Sequence, residues 1–137
     1  MAFVDGRVRE LLTGKNFCTV VTTRRDGRVH AVPVWVDTDG EHVLLNSEQE
    51  VPWVGFLRRN PDVTCVVVNH DDPYEYVRIR GRAVAIDHEG ADDHIDRLSE
   101  RYVNDPSFPW RVPGEHRLII RIEPAEIFHK TATPPAA

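Results

Sequence analysis

Two Asp-Gly steps, Asp26-Gly27 and Asp39-Gly40, each stand between runs of β-branched residues, and no other feature restricts the fold of this chain so tightly. The runs are residues 16–23 (NFCTVVTT), 28–37 (RVHAVPVWVD) and 41–46 (EHVLLN). Glycine supplies the positive φ that closes a tight turn, so the pattern predicts three antiparallel strands joined by hairpins. After Pro52, the apolar residues Trp53, Phe56 and Leu57 recur at helical spacing until Pro61 stops them, which predicts one short helix. Strands are expected again at 63–69 and 74–87; in the second, Tyr74, Tyr76, Arg78, Arg80 and Arg82 share one face and Val77 and Ile79 the other. Residues 89–103 read as a helix with Ile95, Leu98 and Tyr102 or Val103 as its buried stripe, 104–115 as a Pro-rich loop, and 116–129 as a last strand bent at Pro124. At the N-terminus, Asp5 is placed to cap a helix carrying Val8, Leu11 and Leu12 on one face, with Gly14 ending it in a left-handed conformation.

Six strands without a βαβ rhythm predict a mainly β (α+β) fold, a closed or nearly closed six-stranded antiparallel barrel with about three short helices. A flat sheet would leave its edges and one apolar face open to water. A small barrel fills its own interior, so a ligand is expected at a mouth or between two chains.

The 137 residues suit a single domain, 1–137, with 131–137 read as a flexible tail. The apolar runs are far shorter than a bilayer span and the first residues are charged from Asp5, which argues against a membrane protein or a signal peptide and for a cytoplasmic one. A net charge of −5 argues against general nucleic-acid binding. Fifteen arginines against two lysines point to a GC-rich genome. Cys18 and Cys65 lie inside β-branched runs, where a buried thiol is the expected state. No Ser-His-acid set, Gly-rich phosphate loop or CxxC appears, so hydrolase, kinase and dithiol chemistry have no support. His70 to Asp72 and Asp92 to His94 have metal-ligand residue types, but the first lies in a turn and the second is expected on an exposed helical face, so no metal site is assigned.

The order FCTVVTTRRDGRVHAVPVWVDTDGEHVLLNS, then LRRNPDV, then DDPYEYVRIRGRAVAI and ADDHIDRLSERY resembles the pyridoxamine 5'-phosphate oxidase-like split β-barrel superfamily. Within it, the chain looks most like the actinobacterial oxidoreductases that use a flavin or the deazaflavin coenzyme F420. The resemblance implies a homodimer of six-stranded split barrels with two cofactor sites, each lined by both chains, and hydride transfer to a small organic substrate. It implies F420 as cofactor, with FMN as the alternative and a barrel dimer that has lost its cofactor as a third reading. His30, Val32 and Pro33 would lie against the ring. The two positions that commonly grip phosphate through basic residues fall on Val51 and Trp53, beside the acidic Glu48 and Glu50. A phosphate would then depend on Asn46, Ser47, Arg58 or backbone N–H groups at the helix start. Tyr74 and Tyr76, donated by the neighbouring chain, are candidates for substrate contact or proton supply.

Each of these residues also has a structural reading. Trp53 opens the apolar face of its helix and reads as a core or dimer anchor. Arg58 and Arg59 suit the negative end of a helix dipole. Arg78, Arg80 and Arg82 are expected to pair with Glu41, Glu75 or the acidic residues Asp92 and Asp93.

Overall fold

The computed structural model describes residues 4–131; the expected tail lies outside the described residues except for Thr131. Three helices and seven strands follow in the order α1 (Gly6–Thr13), β1 (Cys18–Thr23), β2 (Val29–Val34), β3 (Asp37–Thr38), β4 (Val43–Glu48), α2 (Pro52–Arg59), β5 (Asp62–Val68), β6 (Tyr76–Asp87), α3 (Ala91–Val103) and β7 (Arg117–Lys130). The strand beyond the six expected is β3, two residues that continue the chain after Trp35 and Val36 and pair with Leu44 and Val43. The first long run therefore splits in two: β2 pairs with β1, and β3 crosses to the far edge of the sheet.

All strands form one antiparallel sheet in the order β2-β1-β5-β6-β7-β4-β3. The order stays open, with β2 and β3 at its two edges, and the sheet curls into a split barrel rather than closing on itself. Its long middle strands bend where Gly81 faces Pro124 and the register slips. A Cβ on Gly81 would stand 2.2 Å from the Glu123 carbonyl oxygen, so only glycine lets the strands approach there. The first hairpin closes as the Asp-Gly signal predicts: Gly27 has φ +87°, and the Arg24 N–H donates to the Arg28 carbonyl at 2.8 Å.

The inner face of the sheet carries Cys18, Val20, Val43, Leu45, Val63, Cys65, Val67, Val77, Ile79, Leu118, Ile120 and Ile122, all buried in one core. Leu11 and Leu12 of α1 and Trp53, Val54 and Leu57 of α2 plug that core. Gly14, expected to be left-handed, is extended at φ −83°, and the α1 carbonyl of Leu11 accepts instead from the Asn16 amide at 2.9 Å. Asp5 occupies the N-cap position without a side-chain cap bond.

α3 lies on the outer face, where Ala91 packs on Leu44 and Ile119. Both faces of β4 are thereby covered, which is why Val43 to Ser47 are all buried and the strand shows no alternation. His94, expected on an exposed face, is buried on the inner side of α3 at 1 % exposure. The expected arginine partners also differ. Arg80 meets Glu126 at 3.8 Å, Arg78 stacks over the Phe128 ring, and Glu75 is taken by Arg7 and His129.

Candidate functional site

Where the chain leaves β2 for β3, Trp35 comes to lie against α3 and the loop that follows it. Its indole stacks flat on Tyr102, with centroids 5.0 Å apart and planes 3° from parallel, and meets Phe108 and Trp110 edge-on at 5.9 and 6.2 Å. Tyr102 is fixed in turn, because its buried hydroxyl donates to the Asn16 carbonyl and accepts from the Val36 N–H at 3.2 Å. Asp96 pins the loop by accepting from the Phe108 N–H at 2.9 Å and from Arg111 at 2.6 Å. Between these parts lies a cleft of about 310 Å³ lined by Phe17, Pro33, Val34, Trp35, Asn46, Ile95, Phe108 and Arg117. Trp110 and Phe17 remain 61 % and 52 % exposed, unusual for such large rings.

The polar end of the cleft is Asn46 and Arg117, backed by a buried network. Arg117 can only donate, so its Nε–H fixes the Asn46 oxygen toward itself at 2.9 Å. The Asn46 amide nitrogen then donates to the Ala91 carbonyl at 2.9 Å and to His94 Nδ1 at 3.1 Å. That assigns the second histidine nitrogen, Nε2, as the donor to Asp37, 3.1 Å away. Asp37 also accepts from Arg101 at 2.8 Å. Burial pushes the Asp37 carboxyl up, but the His94 and Arg101 hydrogen bonds outweigh it and lower its pKa to about 2. Burial pulls the Arg117 guanidinium down, against the opposing charge of Glu115.

Of the residues singled out in the sequence, the cleft brings together Pro33 and Asn46. The others lie elsewhere. His30 faces Phe56 of α2 edge-on at 5.7 Å, and Val32 packs against the barrel core. Ser47 is buried and its hydroxyl donates to the Glu48 carbonyl. Val51 caps α2 with its side chain against the core, and Trp53 is 3 % exposed within that core. Arg58 projects from the last turn of α2. Tyr74 is 76 % exposed in the turn before β6, while Tyr76 tilts against Phe128. Sequence reasoning passed over Trp35, Phe108 and Arg117 as site residues. The only signal for them was a tryptophan and an arginine at strand ends next to apolar runs, and their convergence depends on α3 folding back across β4 and β7.

The fold and the cleft define a split-barrel protein with an aromatic-lined cleft between β2 at one edge of the sheet, β4 and β7 near the other, and α3. The pattern of the pyridoxamine 5'-phosphate oxidase family matches residues 4–131, and the chain belongs to that family. Among solved structures it is similar to an F420 reductase (TM-score 0.77, 24 % identity, covering 88 % of this chain and 94 % of that one). It is also similar to a putative pyridoxamine 5'-phosphate oxidase from Listeria innocua (TM-score 0.68, 21 % identity, 90 % and 94 % covered). A conserved hypothetical protein from Mycobacterium tuberculosis aligns with a TM-score of 0.71 at 19 % identity, covering 100 % of this chain and 91 % of that one. These likenesses establish the fold. No match was found among curated proteins. Among the described residues no helix is long and apolar enough to cross a membrane, and no group of three His, Cys, Asp or Glu is arranged to hold a metal ion.

Proposed function

We propose that the protein is an oxidoreductase that uses coenzyme F420 to transfer a hydride to a small organic substrate, with the aromatic cleft beside Trp35 as the ring site. The observation that carries this reading is the cleft itself, an apolar slot walled by Trp35 and Phe108 and ended by two polar side chains. Its volume of about 310 Å³ falls at the lower end of ligand sites. Family membership supports a flavin-type group, and the F420 reductase neighbour supports the deazaflavin. The lining fits a planar heteroaromatic ring. The loop before α2 fits a phosphate poorly: Val51 and Trp53 offer no cation, and Asn46 and Ser47 are already hydrogen-bonded within the chain.

The coenzyme, when bound, supplies the hydride; the barrel's part is to orient and to keep water out. Trp35 is held flat by Tyr102, and Phe108 by Asp96, so the walls are set before a ligand arrives. Arg117 is held by Asn46 and by Glu115, 3.5 Å away, with its guanidinium over the Phe108 ring, and only the N–H groups left by these partners are offered to an electron-rich ring edge. The second half of each site would come from a partner chain in a homodimer, through which Tyr74 and Tyr76 reach the substrate. The two free, buried thiols suit a cytoplasmic protein.

Fluorescence titration of the purified protein with F420 and with FMN tests the proposal. We expect F420 to bind more tightly than FMN but only weakly, with a dissociation constant of about 1–100 μM, since two charge-assisted phosphate contacts are missing. Trp35→Ala should abolish the F420 signal. Submicromolar FMN binding would reverse the order of the two coenzymes. The absence of basic residues at positions 51 and 53 favours a second reading, a cofactor-free barrel dimer, which stands if neither coenzyme binds.

A further inference from the structure

We infer that residues 109–114 form a hinged lid beside the aromatic cleft, parked at its rim by Arg111 and carrying Trp110 as the ring that closes over a bound ligand. The segment is tied down at its flanks and free between them. On one side Phe108 packs against Ile95, Leu98 and Tyr102 and its N–H donates to Asp96 at 2.9 Å; on the other the His116 carbonyl accepts from the Gln49 N–H at 2.9 Å. Among the described residues, no backbone group of 109–114 is hydrogen-bonded to another element, and the Val112 carbonyl accepts only locally, from the Glu115 N–H at 3.1 Å. Backbone with so few ties sits at the low end of local stability. Pro109 and Pro113 stiffen the piece, and Gly114, at φ +82° with nothing within 4 Å of a Cβ placed on it, supplies the joint.

Two side chains hold the segment where it is. Arg111 reaches Asp96 at 2.6 Å and Asp92 at 3.9 Å, with the Arg111 and Asp96 side chains 36 % and 33 % exposed. An ion pair this open contributes little and weakens with salt, so the parked position is easily left. Trp110 meets both walls edge-on, Trp35 at 6.2 Å and Phe108 at 5.8 Å, yet it does not line the cleft and stays 61 % exposed. An indole at the rim with that much bare surface gains by covering a planar ligand seated against Trp35 and Phe108, and its closure shuts water out of the open side. That the occupant is the coenzyme ring rests on the proposed function.

Fluorine NMR of the full chain labelled with 5-fluorotryptophan tests the lid, with the signals of the three tryptophans assigned through Trp110→Phe and Trp35→Phe. On saturation with F420, the solvent isotope shift of the Trp110 signal should fall by about half or more, while that of Trp53, 3 % exposed, stays as it was. Trp110→Ala should release F420 about tenfold faster with little change in association. In the free chain, Arg111→Gln alters an exposed side chain and should stay folded, yet amide hydrogen exchange at residues 110–112 should quicken about threefold or more. Saturation with F420 without a change at Trp110, or unchanged exchange in Arg111→Gln, overturns the lid and leaves the proposed function standing. If F420 does not bind at all, the ring-site reading falls and the lid falls with it.

Discussion

Asp37 joins β3 to α3 through His94 and Arg101, and it is one of the few charged groups so enclosed. Its folded pKa of about 2 lies below the ordinary carboxyl value of about 3.9. A depressed pKa means stability that is complete above the unfolded value and lost as pH falls through the folded one. Denaturant unfolding between pH 6 and pH 2 should therefore show a loss concentrated between about pH 4 and pH 2. Asp37→Asn should remove that part of the profile and cost about 1.5–3 kcal/mol at neutral pH, the range for hydrogen bonds to a charged group. Gly81 is a different case. Alanine there would drive a methyl group into the Glu123 carbonyl, 2.2 Å away, and urea unfolding should register a loss of about 3 kcal/mol. Neither residue stood out in the sequence, where one was the end of a strand and the other a glycine within one. Their importance comes from partners 64 and 42 positions away, which only pairing across the sheet supplies.

The element with the most divided role is α2. Its N-terminal residues were candidates for holding a coenzyme, yet Trp53, Val54 and Leu57 are sealed in the core. Trp53→Ala should therefore cost about 3–5 kcal/mol, as for other large-to-small aromatic changes. Arg58→Ala, at an exposed position of the same helix, should shift stability by no more than about 0.5 kcal/mol. Thermal unfolding of the two variants separates an anchoring face from a solvated one. Both faces were legible in the spacing of Trp53, Phe56 and Leu57. The burial of His94 was not, because the periodicity of α3 gives the apolar stripe of Ile95 and Leu98 without saying that β4 and β7 present Asn46 beside it.

At the scale of the molecule, α3 covers only part of the outer face of the sheet, over β4 and β7. Val29, Val68 and Phe128 stand 67 %, 38 % and 43 % exposed on the rest of that face, with Val21 and Val66 between them only partly covered. These apolar side chains share the face with Arg78, Arg80 and Glu126, and such a mixed face is expected to meet a second copy of the chain. Sedimentation should give a dimer at micromolar concentration, and Val66→Glu, which sets a charge in the middle of the face, should yield a folded monomer. A monomeric parent protein would remove the two-chain site from the proposed function. The sequence by itself determined the antiparallel strands, their hairpins and the two helices that plug the barrel, because turn chemistry and apolar spacing act over a few residues. Tertiary structure decided that the first long run divides into β2 and β3, that the sheet stays open, and that Trp35, Phe108, Asn46 and Arg117 enclose one cleft. Those outcomes depend on which distant strands pair and which faces α3 covers, and such contacts are set by the packing of the whole chain rather than by any local stretch of it.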